Sequence, residues 1–130
     1  MSPRSKEFYD RARERLMWAR RNLEQGGYAI AVGAAYYSML YGARAALSER
    51  DLHAKTHRGT WNLFRQTFVA GGSLPAELVG EAERLAELRE AADYDALAVE
   101  REQAEGAVAS AERSCPRWMS CSTDAPPSSS

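Results

Sequence analysis

An all-α, up-and-down bundle of about five helices with a disordered C-terminal tail is the fold class that this 130-residue chain predicts. Three observations carry that expectation. The stretch YAIAVGAAYYSMLYGARAAL, Tyr28 to Leu47, holds no charge before Arg44; apolar residues elsewhere recur every three or four positions; and Gly-Gly pairs punctuate the chain where turns should fall. Neither internal repeats nor strand-like alternation is readable.

A helix over Tyr28–Leu47 would be about 30 Å long and would need cover on nearly every side. The uncharged run stops after Ala43, short of the 18 or so apolar residues that a membrane span needs, so a buried central helix is expected, with no membrane contact. Ala29, Ala31, Gly33, Ala34 and Ala35 would let neighbouring helices come close. One stripe, Val32, Tyr36, Leu40, Ala43 and Leu47, reads as core. A second, Tyr37, Tyr41, Arg44 and Ser48, ends in polar groups that require partners.

The first helix, residues 4 to 25, is marked by Phe8, Ala12, Leu16, Ala19 and Leu23, and Gly26-Gly27 ends it. An antiparallel hairpin with the central helix follows, because the connection is so short. The central helix is expected to end near Leu52, leaving a polar segment, SERDLHAKTHRG, that contains both histidines of the chain. Trp61, Phe64 and Phe68 share one face of a third helix, about Thr60 to Ala70, and at helical spacing they read as core. Gly71-Gly72-Ser73 stops that helix. Pro75 opens a fourth, with Ser73 as its cap and Leu78, Ala82, Leu85, Leu88 and Ala92 as its apolar line. The Asp93-Tyr94-Asp95 break leads to a fifth, roughly Asp95 to Arg113, burying Leu97, Ala104, Val108, Ala111 and the stem of Arg101. Residues 1–113 thus form one domain, and the Pro- and Ser-rich residues 114–130 read as the tail.

Net charge is only -1, but residues 1–75 carry 12 basic against 6 acidic side chains, and residues 76–130 carry 5 against 12. Complementary halves imply neutralisation between packed helices, or a site for an anionic partner on the basic half. The start, MSPRSKEFYD, lacks a signal-peptide pattern, and a cytoplasmic location is expected. Cys115 and Cys121 lie in the tail and supply no disulfide framework. No Gly-rich phosphate loop and no Cys/His metal quartet is present, so neither a cofactor nor a metal is expected.

Four segments, AAYYSMLYGARAAL, KTHRG, FVAGG and LREAADYD, in that order and spacing, resemble the prokaryotic HEPN domain family over about Arg4 to Arg113. The resemblance implies a small helical bundle, commonly a homodimer, often paired as a toxin with a minimal nucleotidyltransferase antitoxin. It also implies a metal-independent endoribonuclease whose signature is an Arg followed after four to six residues by a His. The alternative within the family is a non-catalytic module that binds nucleotide or docks the nucleotidyltransferase. Arg50 and His57, with six residues between them, fit the spacing, although they fall after the second helix and the usual signature lies late in the bundle.

These residues define the candidate site. RNA cleavage needs a proton acceptor, a proton donor and positive charge for the transition state. His57 can serve as base or acid, and Arg50 or Arg58 can supply charge; the bland alternative is that His57 braces the start of the third helix. Arg89, Asp93 and Tyr94 sit together late in the fourth helix. They read either as a cluster contacting phosphate and hydroxyl groups or as a salt bridge fastening that helix to Tyr37, Tyr41 or Arg44 of the central one. In such a family a tyrosine can also accept a nucleotidyl group, and Tyr94 is the one expected to be exposed. RNA or nucleotide contacts are accordingly expected from Arg58, Arg89, Asp93, Tyr94, Tyr37, Tyr41 and Arg44.

Overall fold

The computed structural model describes residues 1–94 and 98–124, the backbone alone for 115–124. It is helical throughout, with no strand among the described residues. Helix α1 spans Pro3–Glu24, α2 Tyr28–Ser48, α3 His57–Phe64, α4 Ala76–Tyr94 and α5 Arg101–Asp124; a π-helical turn, Arg65–Val69, continues α3. The all-α bundle that the periodicity predicts is the fold observed.

Each boundary has a local cause. Ser2 caps α1 by accepting a hydrogen bond from the Ser5 N–H at 3.1 Å, and Pro3 stands where its missing N–H costs nothing. At the other end Gly26 adopts φ +83°, and the N–H groups of Gly26 and Gly27 donate to the carbonyls of Leu23 and Asn22, closing a Schellman turn. The expected hairpin follows, and α1 and α2 pack along their length. Inside it the Ser38 hydroxyl donates to the Ala12 carbonyl at 2.8 Å in a fully buried bridge.

Helix α2 ends at Ser48, four residues before the expected Leu52. The same closing pattern recurs there, with N–H groups of Asp51 and Leu52 donating to Ser48 and Leu47, but the left-handed position is held by Asp51 at φ +57°. Aspartate tolerates that conformation better than most residues, though less well than glycine, and without a glycine the stop was not legible.

As its composition requires, α2 is covered along most of its length, only Ala29 and Ile30 near its start being exposed. It contacts α1, α3, α4 and α5, and its core stripe, Val32, Tyr36, Leu40, Ala43 and Leu47, is buried. Against α5 the contact is made by small residues on both partners, with Ala31 and Ala35 buried on α2 and Ala104, Ala107 and Ala111 on α5. Phe64, Phe68 and Trp61 fill the core from α3 and its π turn, as their spacing predicts. Leu78, Val79, Ala82 and Leu85 close it from α4.

Three features differ from expectation. Arg101 stands exposed beside Glu105 at 3.7 Å rather than burying its stem. The backbone of α5 continues to Asp124, through the start of the segment whose composition reads as a tail. Ala29, expected at a helix contact, is exposed together with Ile30. Leu97, the side chains of Cys115 and Cys121, and residues 125–130 of the expected tail lie outside the described residues. No described helix is long and apolar enough to cross a membrane.

The left-handed Asp51 generates a stability prediction. Asp51→Gly should raise the unfolding free energy measured by urea titration by about 1 kcal/mol, and Asp51→Val should lower it by a similar amount. If the two variants match the wild type, the α2 stop is not held by this backbone conformation.

Candidate functional site

The corner KTHRG acquires its shape from two residues. Thr56 is the cap of α3, its hydroxyl accepting from the Gly59 N–H at 2.9 Å. Gly59 is required by space: a Cβ there would meet the Thr56 hydroxyl oxygen at 2.8 Å. Helix α3 therefore starts at His57, three residues earlier than the expected Thr60. Arg44 of α2 ties the corner down from below, its Nε 3.4 Å from the Thr60 hydroxyl and its terminal nitrogen 3.5 Å from the Lys55 carbonyl.

His57, the first residue of α3, is half-buried. Its Nδ1 lies 3.2 Å from the Tyr36 hydroxyl, and its ring meets Tyr37 edge-on at a centroid separation of 5.7 Å. The Tyr36 oxygen in turn accepts a hydrogen bond from the Trp61 indole N–H at 3.2 Å. The imidazole opens into a cleft of about 410 Å³ between α3 and α4, whose walls include Arg58, Glu87, Arg89 and Glu90. Arg89 also faces a second cavity of about 560 Å³ lined by Arg15, Trp18, Ile30, Gly33, Tyr37 and Asp93, so the two clefts share one guanidinium. A Cβ on Gly33 would approach the Arg89 stem to 3.9 Å, ordinary contact, so the small residue here gives room rather than being demanded.

Electrostatics set the resting state of the cleft. Burial, and then the charges of Arg44 and Arg89, push the His57 pKa below its ordinary value, favouring the neutral ring. Its place at a helix N-terminus acts in the same direction. Burial raises the Tyr36 pKa; the bond from Trp61 and the Arg89 and Arg44 charges oppose this, and Tyr37 reinforces it. Of the acidic residues on α4, Glu83 is engaged by the Arg65 fork at 2.6 and 2.7 Å, which holds its carboxyl below the usual range.

Beside the cleft runs a strip of stacked guanidinium and ring groups. Arg89 lies over the Tyr37 ring at 5.0 Å, Arg15 over Tyr37 and Tyr41 at 5.5 and 5.8 Å, and Arg11 over Tyr41 at 5.8 Å. Arg44 continues it into a pocket of about 300 Å³ with Arg4, His53 and Lys55. Both readings of the charge asymmetry thus have a physical counterpart. Arg20–Glu112 at 2.8 Å and Arg65–Glu83 join the basic half to the acidic half, while on the α1–α2 strip Arg15 is stacked on Tyr37 and Tyr41 and Arg11 is paired with Glu7 at 2.9 Å.

Most of the sequence-selected residues meet here. His57, Arg58, Arg89, Tyr37 and Arg44 surround one region, Tyr41 adjoins it, and Asp93 lines the second cavity, 4.0 Å from Arg89. Two stand apart. The Arg50 guanidinium lies over Phe68 at 5.1 Å, because the chain reverses at Asp51 directly after it, and Arg50 is not among the residues lining the His57 cleft. Tyr94, at the end of α4, is 85% exposed, as expected. Tyr36 and Trp61, which their spacing assigns to the core, are buried there and also reach the site through their polar tips. Among the described residues no three His, Cys, Asp or Glu side chains converge as a metal ion would need.

A family model described as HEPN domain matches residues 5–115. The chain is 39% identical over 88 residues to the UPF0332 protein glr0978 of Gloeobacter violaceus, an overlap that covers 65% of this chain and 70% of that one. It is also 34% identical over 79 residues to the protein named "Putative toxin MJ0142" of Methanocaldococcus jannaschii, covering 60% of this chain and 54%, little more than half, of the relative.

Two outcomes follow from this geometry. Thr56→Ala should cost about 1 kcal/mol of stability by uncapping α3, and Gly59→Ala should be destabilising as well, since its methyl displaces the capping hydroxyl; urea unfolding checks both. Because the folded protein holds His57 below its ordinary pKa near 6.5, the unfolded chain binds that proton more readily. The stabilisation from this group is therefore complete above about pH 6.5 and is lost as pH falls through the folded value. His57→Gln should flatten that part of the stability profile relative to wild type, and parallel profiles would contradict the assignment.

Proposed function

Because the chain belongs to the HEPN domain family, we propose that it is a toxin-type member that cuts RNA at the His57 cleft, working as a homodimer in the cytoplasm and held in check by a minimal nucleotidyltransferase partner. The observation that carries this reading is a half-buried imidazole at the mouth of a cleft between Arg58 and Arg89, flanked by the basic α1–α2 strip. The name of the methanogen relative as a toxin adds support.

In the proposed cleavage the 2′-oxygen attacks phosphorus and the bond to the 5′-oxygen breaks. The attacking hydroxyl loses its proton to solvent, and the departing oxygen gains one from solvent. A ring N–H of His57 and the Arg89 guanidinium hydrogen-bond the phosphate oxygens as negative charge grows on them, which is where donors fixed in place act most strongly. Arg89 takes the part that the family signature gave to Arg50. Arg15 and Arg44 hold the flanking backbone, a contribution that weakens as salt rises. Tyr94 is the side chain that a nucleotidyl-transferring partner reaches most readily.

One observation favours the non-catalytic alternative: Glu87 and Glu90 share the cleft wall with the two arginines and repel a polyanion. A module that binds a nucleotide or docks the partner, leaving RNA intact, would tolerate them. Incubating the purified chain with RNA separates the readings. Wild type should cleave, and His57→Ala should lose about 10²- to 10³-fold in rate while circular dichroism and dimer mass stay unchanged. Binding without cleavage by the wild type would establish the alternative, and an unfolded His57→Ala would point to the bracing role.

A further inference from the structure

The Tyr36 hydroxyl lies inside the bundle, on a residue 1% exposed, and has two polar neighbours. One is the Trp61 Nε1 at 3.2 Å and the other the His57 Nδ1, also at 3.2 Å. An indole N–H can only donate, so Trp61 occupies a lone pair of the phenol oxygen. The phenolic proton is then left with His57 Nδ1 as its acceptor. Had the imidazole placed its own proton on Nδ1, the tyrosine oxygen would accept twice and its buried O–H would lose its acceptor, an arrangement that buried hydroxyls avoid.

We infer that Trp61, Tyr36 and His57 form a one-way chain of donors that fixes His57 as the neutral tautomer protonated on Nε2, with Tyr36 as a positioning residue of the site. The arrangement runs opposite to that of a histidine whose Nδ1–H donates to a carboxylate, which leaves Nε2 free to take a proton. Here the outward nitrogen carries the proton, so the cleft offers an anion a hydrogen-bond donor. Nε2 cannot accept the proton of a 2′-hydroxyl while Tyr36 remains bonded to Nδ1. Given the proposal above that a phosphodiester occupies the cleft, His57 binds a phosphate oxygen next to Arg89, and its service as general base is ruled out. Protonation in acid keeps the outward N–H in place, so phosphate contact persists below the His57 titration. The charged groups facing the ring are Arg44 from α2, Arg58 from α3 and Arg89, Glu87 and Glu90 from α4, with Arg15 of α1 behind Tyr37 and Glu83 engaged by Arg65.

Nitrogen-15 spectra of the histidine rings in the full chain test this, His53 and His57 being assigned with His57→Gln. Above its titration, wild-type His57 should show a protonated Nε2 and an unprotonated, hydrogen-bonded Nδ1. Tyr36→Phe removes the donor to the neutral ring, so the spectrum should become a mixture of tautomers and the His57 midpoint should rise toward its ordinary value. A wild-type Nδ1–H pattern would overturn the inference, as would a folded Tyr36→Phe with unchanged tautomer and midpoint. Should Tyr36→Phe fail to fold, the wild-type spectrum decides alone. RNA cleavage measured in parallel keeps the two claims apart: absent cleavage with a protonated Nε2 removes the nuclease proposal and leaves the tautomer assignment standing. Cleavage that disappears as His57 becomes protonated would instead mark the ring as a base and contradict the inference.

Discussion

The burial of an uncharged helix is the constraint from which the rest of the molecule follows. Helix α2 has no face that water would solvate well until Arg44, so the chain folds its other four helices around it. Alanines bring α5 close on one side, α1 covers a second through the hairpin, and α3 and α4 complete the ring. The cleft forms at the seam between α3 and α4, over the side of α2 that carries Tyr36 and Tyr37.

Two adjacent tyrosines on one helix thereby take different tasks. Tyr36 points into the core, and the cost of burying its hydroxyl is offset by the bonds to Trp61 and His57. Tyr37 stays half-buried and gives its face to cations, Arg15 and Arg89, and its edge to the histidine. Ring contacts continue from there through Tyr41 to Phe8, at centroid separations of 6.1 and 6.4 Å. Guanidiniums seated over these rings cover apolar surface with their stems, and Arg11 also pairs with Glu7 at 2.9 Å. The same packing that stabilises the α1–α2 hairpin thus shapes a cationic surface beside the cleft.

Much of this was legible in the residues. The lack of charge in Tyr28–Ala43, the Gly-Gly stops and the three-and-four spacing of Leu and Ala specify five helices because each reports a local physical demand. KTHRG stood out as a polar, basic segment holding a histidine and LREAADYD through the family resemblance, and Arg89 and His57 do line one cleft. The pairing of Arg50 with His57 carried the family's Arg-to-His signature onto these positions and missed the left-handed turn at Asp51 that sends Arg50 toward Phe68. Tyr36 was hidden for a different reason. Apolar periodicity assigns a tyrosine to the core by its ring, and the destination of its hydroxyl depends on residues 21 and 25 positions away that only the fold brings near. The start of α3 at His57 was signalled by Thr56, a good capping residue, but the surrounding run of polar side chains read as a loop.

The central claim, that enclosure of α2 holds every other element in place, is tested most directly by amide hydrogen exchange across the whole chain. The account predicts that amides from Val32 to Leu47 exchange only through global unfolding, with protection equal to the full stability of the protein, while the outer ends of α1 and α4 open earlier. Exchange of the α2 amides through local opening, ahead of those in α1 or α5, would contradict it.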